Sequence, residues 1–400
     1  MPTDIQGIKE QIATEVRRMH PRLTEMSQTI HANPELCFEE HRAAELLTNE
    51  LEEHGFEVER GVAGMDTAFV ATYGEGEPVV GIIAEYDALP QIGHACGHNL
   101  IGTWAIGAGI ALRRAMPDVQ GTIKVIGSPA EEGGGGKVIQ ANAGVFDGLD
   151  AAMMMHPRDR TYLDRGSLAV TPFEIEFFGK PAHASSSPET GINALDAVIQ
   201  VFNSINALRQ AFKPNTRVHG VITHGGDAAN VIPEYTAASI LVRADDQSYL
   251  EELNEKFRNI VNAAALSTGC EVKIHEGISY QQRVCNSRLV ETFGENLTAL
   301  GFDYEVPPEG AGVGSSDIGN VSQIVPTIHP YLQICDPGVG GHTQQFAEAS
   351  KSERADQLTA DGSIMLAWTA ADVLLRSDLR EDLRQSFRQQ LGRDPRTTSA

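Results

Sequence analysis

Five cysteines in 400 residues, an odd number scattered at positions 37, 96, 270, 285 and 335, are too few to staple a chain of this length. They are expected as reduced thiols. Cations are scarce as well, with 31 Lys and Arg against 54 Asp and Glu and a formal charge of −23. That balance, with no basic stripe, excludes nucleic acid and an anionic membrane as partners, because both are bound through clustered Lys and Arg. No apolar run approaches transmembrane length, and "MPTDIQGIKEQIATEVRRMHPRL" reads as an amphipathic helix rather than a secretory signal. A cytoplasmic address is the expectation. The chain has no C-x-x-C, which removes the zinc nucleobase deaminases.

What is present is a 41% apolar chain without low-complexity runs, enough for two or three domains. Helical periodicity covers residues 4–31 and 41–55. Short apolar runs follow at "TAFVATYG", "PVVGIIAEYD", "GTIKVIGSP" and "DAAMMMHP", alternating with polar or helical connections such as "LIGTWAIGAGIALRRAMP". The alternation predicts an α/β domain with a mostly parallel sheet and flanking helices. From "VTPFEIEFFGK" to "EVKIHEG" the order becomes βαββαβ, the ferredoxin-like arrangement. The expected layout is therefore a catalytic domain of residues 1–167 and 281–400, interrupted by an inserted lid or dimerisation domain of residues 168–280. The closing "GRDPRTTSA" reads as a frayed tail.

Chemistry-bearing residues gather where strands end. Cys96 and His98 follow "GIIAEYD", Glu131 and Glu132 follow "KVIGSPA", and His156 follows "AAMMM". In an open α/β sheet those ends form the ligand crevice. His342, in "GVGGHTQQF", supplies a further imidazole. Thiolate, imidazole and carboxylate suit zinc, and carboxylates also admit manganese or cobalt. Cys96, His98, Glu132, His156 and His342 are more ligands than one tetrahedral ion needs, so two divalent ions are reasonable. Glu131 is then left to take a proton from water. Singly, each feature has a plainer reading as packing or solvated surface; their joint occurrence decides. "GGGGK" lacks both the Ser or Thr after Gly-Lys and the earlier Gly of a phosphate loop. Cys96 as a metal-free covalent nucleophile remains a chemical alternative, though it leaves the paired glutamates without a role.

"EYDALPQIGHACGHN", "SPAEEGGGGK", "MMMHP", "GKPAHASSSPETGINALDA", "GGDAANVIPEYTAASILVRAD" and "GGH" occur in the order seen in the aminoacylase/carboxypeptidase family of co-catalytic metallopeptidases, peptidase family twenty. Within it the chain resembles the amidohydrolase branch that includes β-alanyl-lysine dipeptidase and p-aminobenzoyl-glutamate hydrolase. The resemblance implies Cys96, His98, Glu132, His156 and His342 as metal ligands, Glu131 as general base, and Asp87 as the carboxylate that orients a ligand. It implies that His183 steadies the oxyanion in a neighbouring subunit's site, and that Asn230 and Arg243 hold the substrate's terminal carboxylate. Two positions depart from the pattern: many relatives have His or Asp where this chain has Glu85, and Asp where it has Asn99. The orientation of His98 is then expected to rest on an amide or a backbone carbonyl. His224 reads as a strand-end residue. The function expected is hydrolysis of a dipeptide or N-acyl amino acid by a homodimer, with a non-catalytic binding protein as the reading from another class.

Overall fold

The computed structural model describes residues 4–308 and 313–392. Residues 393–400, most of the tail read as frayed, lie outside the described residues.

Two compact units divide the chain. The larger takes in the chain up to Gly166, Arg283–Val313 and the chain from Asp317 on. It begins with helices α1 (Ile5–Ala32) and α2 (His41–Glu53) and strands β1 (Glu57–Arg60), β2 (Phe69–Glu75) and β3 (Val79–Ala84). Helix α3 (His98–Ala115), β4 (Gly121–Gly127), α4 (Gly136–Asn142), β5 (Ala151–Met153) and β6 (His156–Arg158) follow. The smaller unit, Ser167–Gln282 with Gly314–Ser316, holds β7 (Ala169–Phe178), α5 (Ala194–Leu208), β8 (Arg217–His224), β9 (Tyr235–Ala244), α6 (Gln247–Thr268) and β10 (Glu271–Glu276). The chain returns to the larger unit with α7 (Ser287–Ala299), α8 (Ile318–Ser322), β11 (Thr327–Ile328), β12 (Tyr331–Gln333), α9 (Gln344–Ala349), α10 (Glu353–Leu375) and α11 (Ser377–Leu391).

The main sheet has the order β1-β2-β4-β3-β5-β11. β4, β3, β5 and β11 run parallel, and β2 and β1 extend the sheet antiparallel. Strands such as "VVGIIA" are apolar throughout because both faces are covered. Helix α3 is buried almost all round, and a Cβ at Gly107 would collide with the Ser363 side chain of α10, so glycine lets the two helices approach. Helix α10 is long and apolar enough to cross a membrane by length and composition, which the reading of the sequence missed. Here 89% of its apolar window is buried inside the protein, as in a core helix.

The smaller unit is an antiparallel sheet of order β10-β7-β9-β8. Along β7, Phe173, Ile175 and Phe177 are buried and join Val198, Val201, Leu253, Phe257 and Val261 of the two helices in one core. This is the expected βαββαβ arrangement.

Two details differ from the expected layout. Gly314 and Ser315 belong with the smaller unit, where Leu168 N–H donates to Gly314 O and Arg243 Nη1 to Ser315 Oγ. The runs "DAAMMMHP" and "TIHPYLQIC" each break into two strands, the second at Pro330, which lacks an N–H for the ladder. β6 and β12 then form their own parallel ribbon, with His156 opposite Tyr331.

Candidate metal centre

His98 opens α3, and the residue that turns the chain into the helix is Gly97, at φ 77°. A Cβ there would stand 2.5 Å from Pro157 Cγ, so only glycine places Cys96 and His98 on successive sides of this turn. His156 enters from the neighbouring ribbon, and its Nε2 lies 3.4 Å from Cys96 Sγ. Glu131 and Glu132 follow Ala130, which is at φ 59°. His342, also at φ 59°, is tied by its N–H to Ala95 O and brings Nε2 to 3.2 Å from Glu132 Oε1. Two left-handed non-glycine residues beside one cluster are strain of the kind held at functional sites.

Three sets of donor atoms in this cluster each lie within 4.8 Å of one another: Cys96, His98 and His156; Cys96, Glu132 and His342; and His98, Glu131 and Glu132. The structure thus brings together the five groups expected as ligands, with Glu131 beside them. The partners of two rings test whether they suit a metal. His98 Nδ1 is 2.8 Å from Asp87 Oδ1, and His156 Nδ1 is 2.7 Å from Pro157 O. Each acceptor puts the proton on Nδ1 and leaves the Nε2 lone pair for an ion. His98 Nε2 has no hydrogen-bond partner among the described residues although it is buried. The donor set fits a divalent metal.

Asp87 serves both sides of the cluster, since its Oδ2 accepts from Glu132 N–H at 2.9 Å. Burial works against its charge, but the adjoining His98 holds its carboxyl below the usual range and is itself held well above the ordinary histidine value. Burial pushes His156 down to about 3, helped by the His98 charge. Glu131 is pushed well up by burial and by Glu85, Glu132 and Asp317, the direction wanted in a carboxylate that trades protons near neutrality. Burial also drives the Cys96 thiol upward, the opposite of what a metal-free thiolate nucleophile needs.

Asn99 does not orient His98. Its Nδ2 donates to Ser27 Oγ at 2.9 Å and Ser350 O at 3.0 Å, tying α3 to α1 and to the loop before α10, while Asp87 does the orienting. His94 is buried with its ring centroid 5.8 Å from that of His31. In the smaller unit, His183 is exposed, and Ser185 N–H donates to its Nδ1 at 3.3 Å, which leaves Nε2–H as a donor. Asn230 lies beside it, its carbonyl accepting from Ala184 N–H at 3.0 Å. Arg243 does not join them. Asn230 precedes β9 and Arg243 stands near its end, opposite Val170, about 26 Å of strand from Tyr235. The two residues expected to share one carboxylate are therefore at opposite ends of this sheet. His224 ends β8 with its ring 5.3 Å from that of Tyr235.

Glu40 was not singled out by its sequence, since "FEEHR" looks like a solvated helix start. Its Oε1 accepts from Ala130 N–H at 2.9 Å and Phe38 N–H at 3.0 Å, and its Oε2 from Thr67 Oγ1 at 2.8 Å. It thereby anchors the turn that carries Glu131. Burial raises its carboxyl to about 7, against the pull of these donors. Between the unfolded value and that one the folded protein holds the extra proton, so this group's contribution to stability falls as pH rises through the window. Glu40→Gln sets an NH2 against these donors and is expected to cost roughly 1–3 kcal/mol in denaturant unfolding at neutral pH, and to flatten that part of the pH dependence.

Residues 169–269, nearly all of the smaller unit, match the Peptidase dimerisation domain. Mouse Xaa-Arg dipeptidase is 36% identical over 400 residues, covering 94% of this chain and 91% of its own. The chain belongs to the M20 peptidase family. As a member it is a hydrolase of peptide or amide bonds. One polypeptide of the p-aminobenzoyl-glutamate hydrolase of Escherichia coli is 33% identical, over 77% of this chain and 66% of that protein. A Bacillus subtilis structure described as a dinuclear metal binding peptidase from the M20 family shares the fold, with a TM-score of 0.65 at 21% identity, covering 89% of this chain and 99% of that one.

Proposed function

We propose that this M20 hydrolase cleaves the amide of a dipeptide or N-acyl amino acid bearing a free carboxylate, with two divalent ions and Glu131 as general base. The observation that carries the reading is the cluster itself, in which His98 and His156 keep their Nε2 lone pairs for an ion while Cys96, Glu132 and His342 complete the donor set. Two ions held there, zinc or manganese, would supply Lewis acidity that lowers the pKa of water and polarises the scissile carbonyl. Glu131 takes the proton of the attacking water and hands it to the leaving amine. Asp87 keeps His98 in the correct tautomer. The His183 Nε2–H donates to the oxyanion, and Arg243 offers a forked guanidinium to the carboxylate.

The spacing along β9 supports a reading in which His183 and Asn230 serve one centre and Arg243 another, as in a homodimer. β8 is an edge strand with Val221 62% and Ile222 43% exposed, an unpartnered apolar edge of the kind that a second copy covers. The first substrates to screen are dipeptides ending in arginine or lysine, then N-acyl amino acids and p-aminobenzoyl-glutamate, each with manganese, zinc or cobalt. Hydrolysis that survives a chelator overturns the proposal.

Metal uptake is expected to release protons. His98 is held up by Asp87 despite its burial, and His342 by its hydrogen bond to Glu132, so below their raised values a proton competes with the ion. Affinity therefore falls as pH is lowered. Calorimetric titration in two buffers of different ionisation enthalpy reads the proton count directly, and equal heats in both would contradict it.

A further inference from the structure

The "GGGGK" run ends in Lys137, whose side chain is fully buried. Its backbone N–H donates to Asp317 Oδ2 at 2.9 Å and its Nζ to Asp317 Oδ1 at 2.7 Å. The same ammonium is ion-paired with Glu85, the residue that follows β3, and both of these carboxylates are buried. Glu85 faces two ways, since its Oε2 is also 3.7 Å from His98 Nε2, the atom left for a metal. Carboxylate oxygens of Glu85, Glu131 and Asp317 stand within 4.8 Å of one another, close enough to share one divalent ion. Carboxylates packed this closely away from water need a cation, and the chain supplies its own.

We infer that Lys137 is a positioning residue of the metal centre: its ammonium takes the cation position among Glu85, Glu131 and Asp317, and so holds Glu85 and Asp317 out of the metal coordination. An ammonium donates to the same oxygens that a divalent ion would bind but is fixed by its stem, so it cannot move into the neighbouring donor set. Its single charge leaves the group anionic, which favours divalent ions close by without surrendering these two oxygens to them. The inference rests on the two-ion reading only for the expected count.

The test is metal analysis after equilibrium dialysis against manganese. Wild type and Glu85→Gln are both expected to hold two ions per chain at saturating manganese, since Glu85 is not a ligand, and the loss of one nearby charge only weakens affinity in the variant. Lys137→Ala removes the ammonium and opens its space, and is expected to gain one ion over wild type. Lys137→Ala/Asp317→Asn removes an oxygen of the new site and returns to the wild-type count. A folded Lys137→Ala with no added ion overturns the inference, as does loss of an ion from Glu85→Gln. Should Lys137→Ala fail to fold, Glu85→Gln alone decides. A wild type holding no ion sinks the two-ion reading, while the gain of one ion by Lys137→Ala remains the measure of this inference.

Discussion

Glu131→Gln is expected to retain the metal and the fold and to lower kcat by about 100- to 10,000-fold, the usual range for a general base. The amide fills the same place after Ala130 but cannot accept a proton from water. Glu131 stands within 4.8 Å of donor atoms of His98 and Glu132, so the loss belongs to proton transfer only if the ion count is intact. Metal analysis and thermal denaturation on the sample used for kinetics supply that control. Glu132→Gln separates the two adjacent carboxylates, because it weakens metal retention before it affects proton transfer. A Glu131→Gln enzyme with near-normal rate across the pH range sinks the mechanism.

Two variants expected to be inactive, Glu131→Gln and His183→Ala, are expected to recover activity when their subunits exchange. His183→Ala alone is expected to lose a donor to developing negative charge, an effect of about 100- to 1,000-fold on kcat. In a mixed dimer one centre pairs an intact Glu131 with an intact His183. Random exchange of equal amounts makes half the dimers mixed, each with one working site, so the rate approaches about one quarter of wild type. The placement of His183 beside Asn230, away from the Arg243 end of β9, motivates the experiment. Mixed dimers, verified by mass spectrometry, that show no recovery would place His183 in its own chain's site or in none.

The domain style and the six central residues of the cluster were legible because each carries its own chemistry and sits where an apolar run stops. Cys96, His98, Glu131, Glu132 and His156 follow strands whose continuous apolarity announces a covered sheet. What was not legible depends on pairing across long intervals. Lys137 could be excluded as a phosphate-loop lysine, but its partner Asp317 lies 180 positions on, in a stretch with no local signal. Glu40 looks solvated because two of its three donors, Thr67 and Ala130, lie far along the chain. The role of Asn99 is hidden for the same reason, since its acceptors at Ser27 and Ser350 lie far away on either side of it in the chain. The distance between Asn230 and Arg243 follows from the register of β9, which residue identity does not reveal.

The larger unit is interrupted by the smaller one, and that sets an order of events during synthesis. β5 gains its parallel neighbour β11 only after the whole smaller unit has been synthesised, and the indole of Trp104 in α3 waits for Leu358 O. The smaller unit is contiguous apart from Gly314–Ser316, so it can collapse first, as domains emerging early do. Until α10 arrives, α3 lacks one of the two helices that meet it at Gly107, Leu23 of α1 being the other, so part of its apolar surface stays uncovered. His342 emerges last of the donor set. A chain truncated before His342 therefore carries Cys96, His98 and His156 without the imidazole that joins Cys96 and Glu132 in the second donor set.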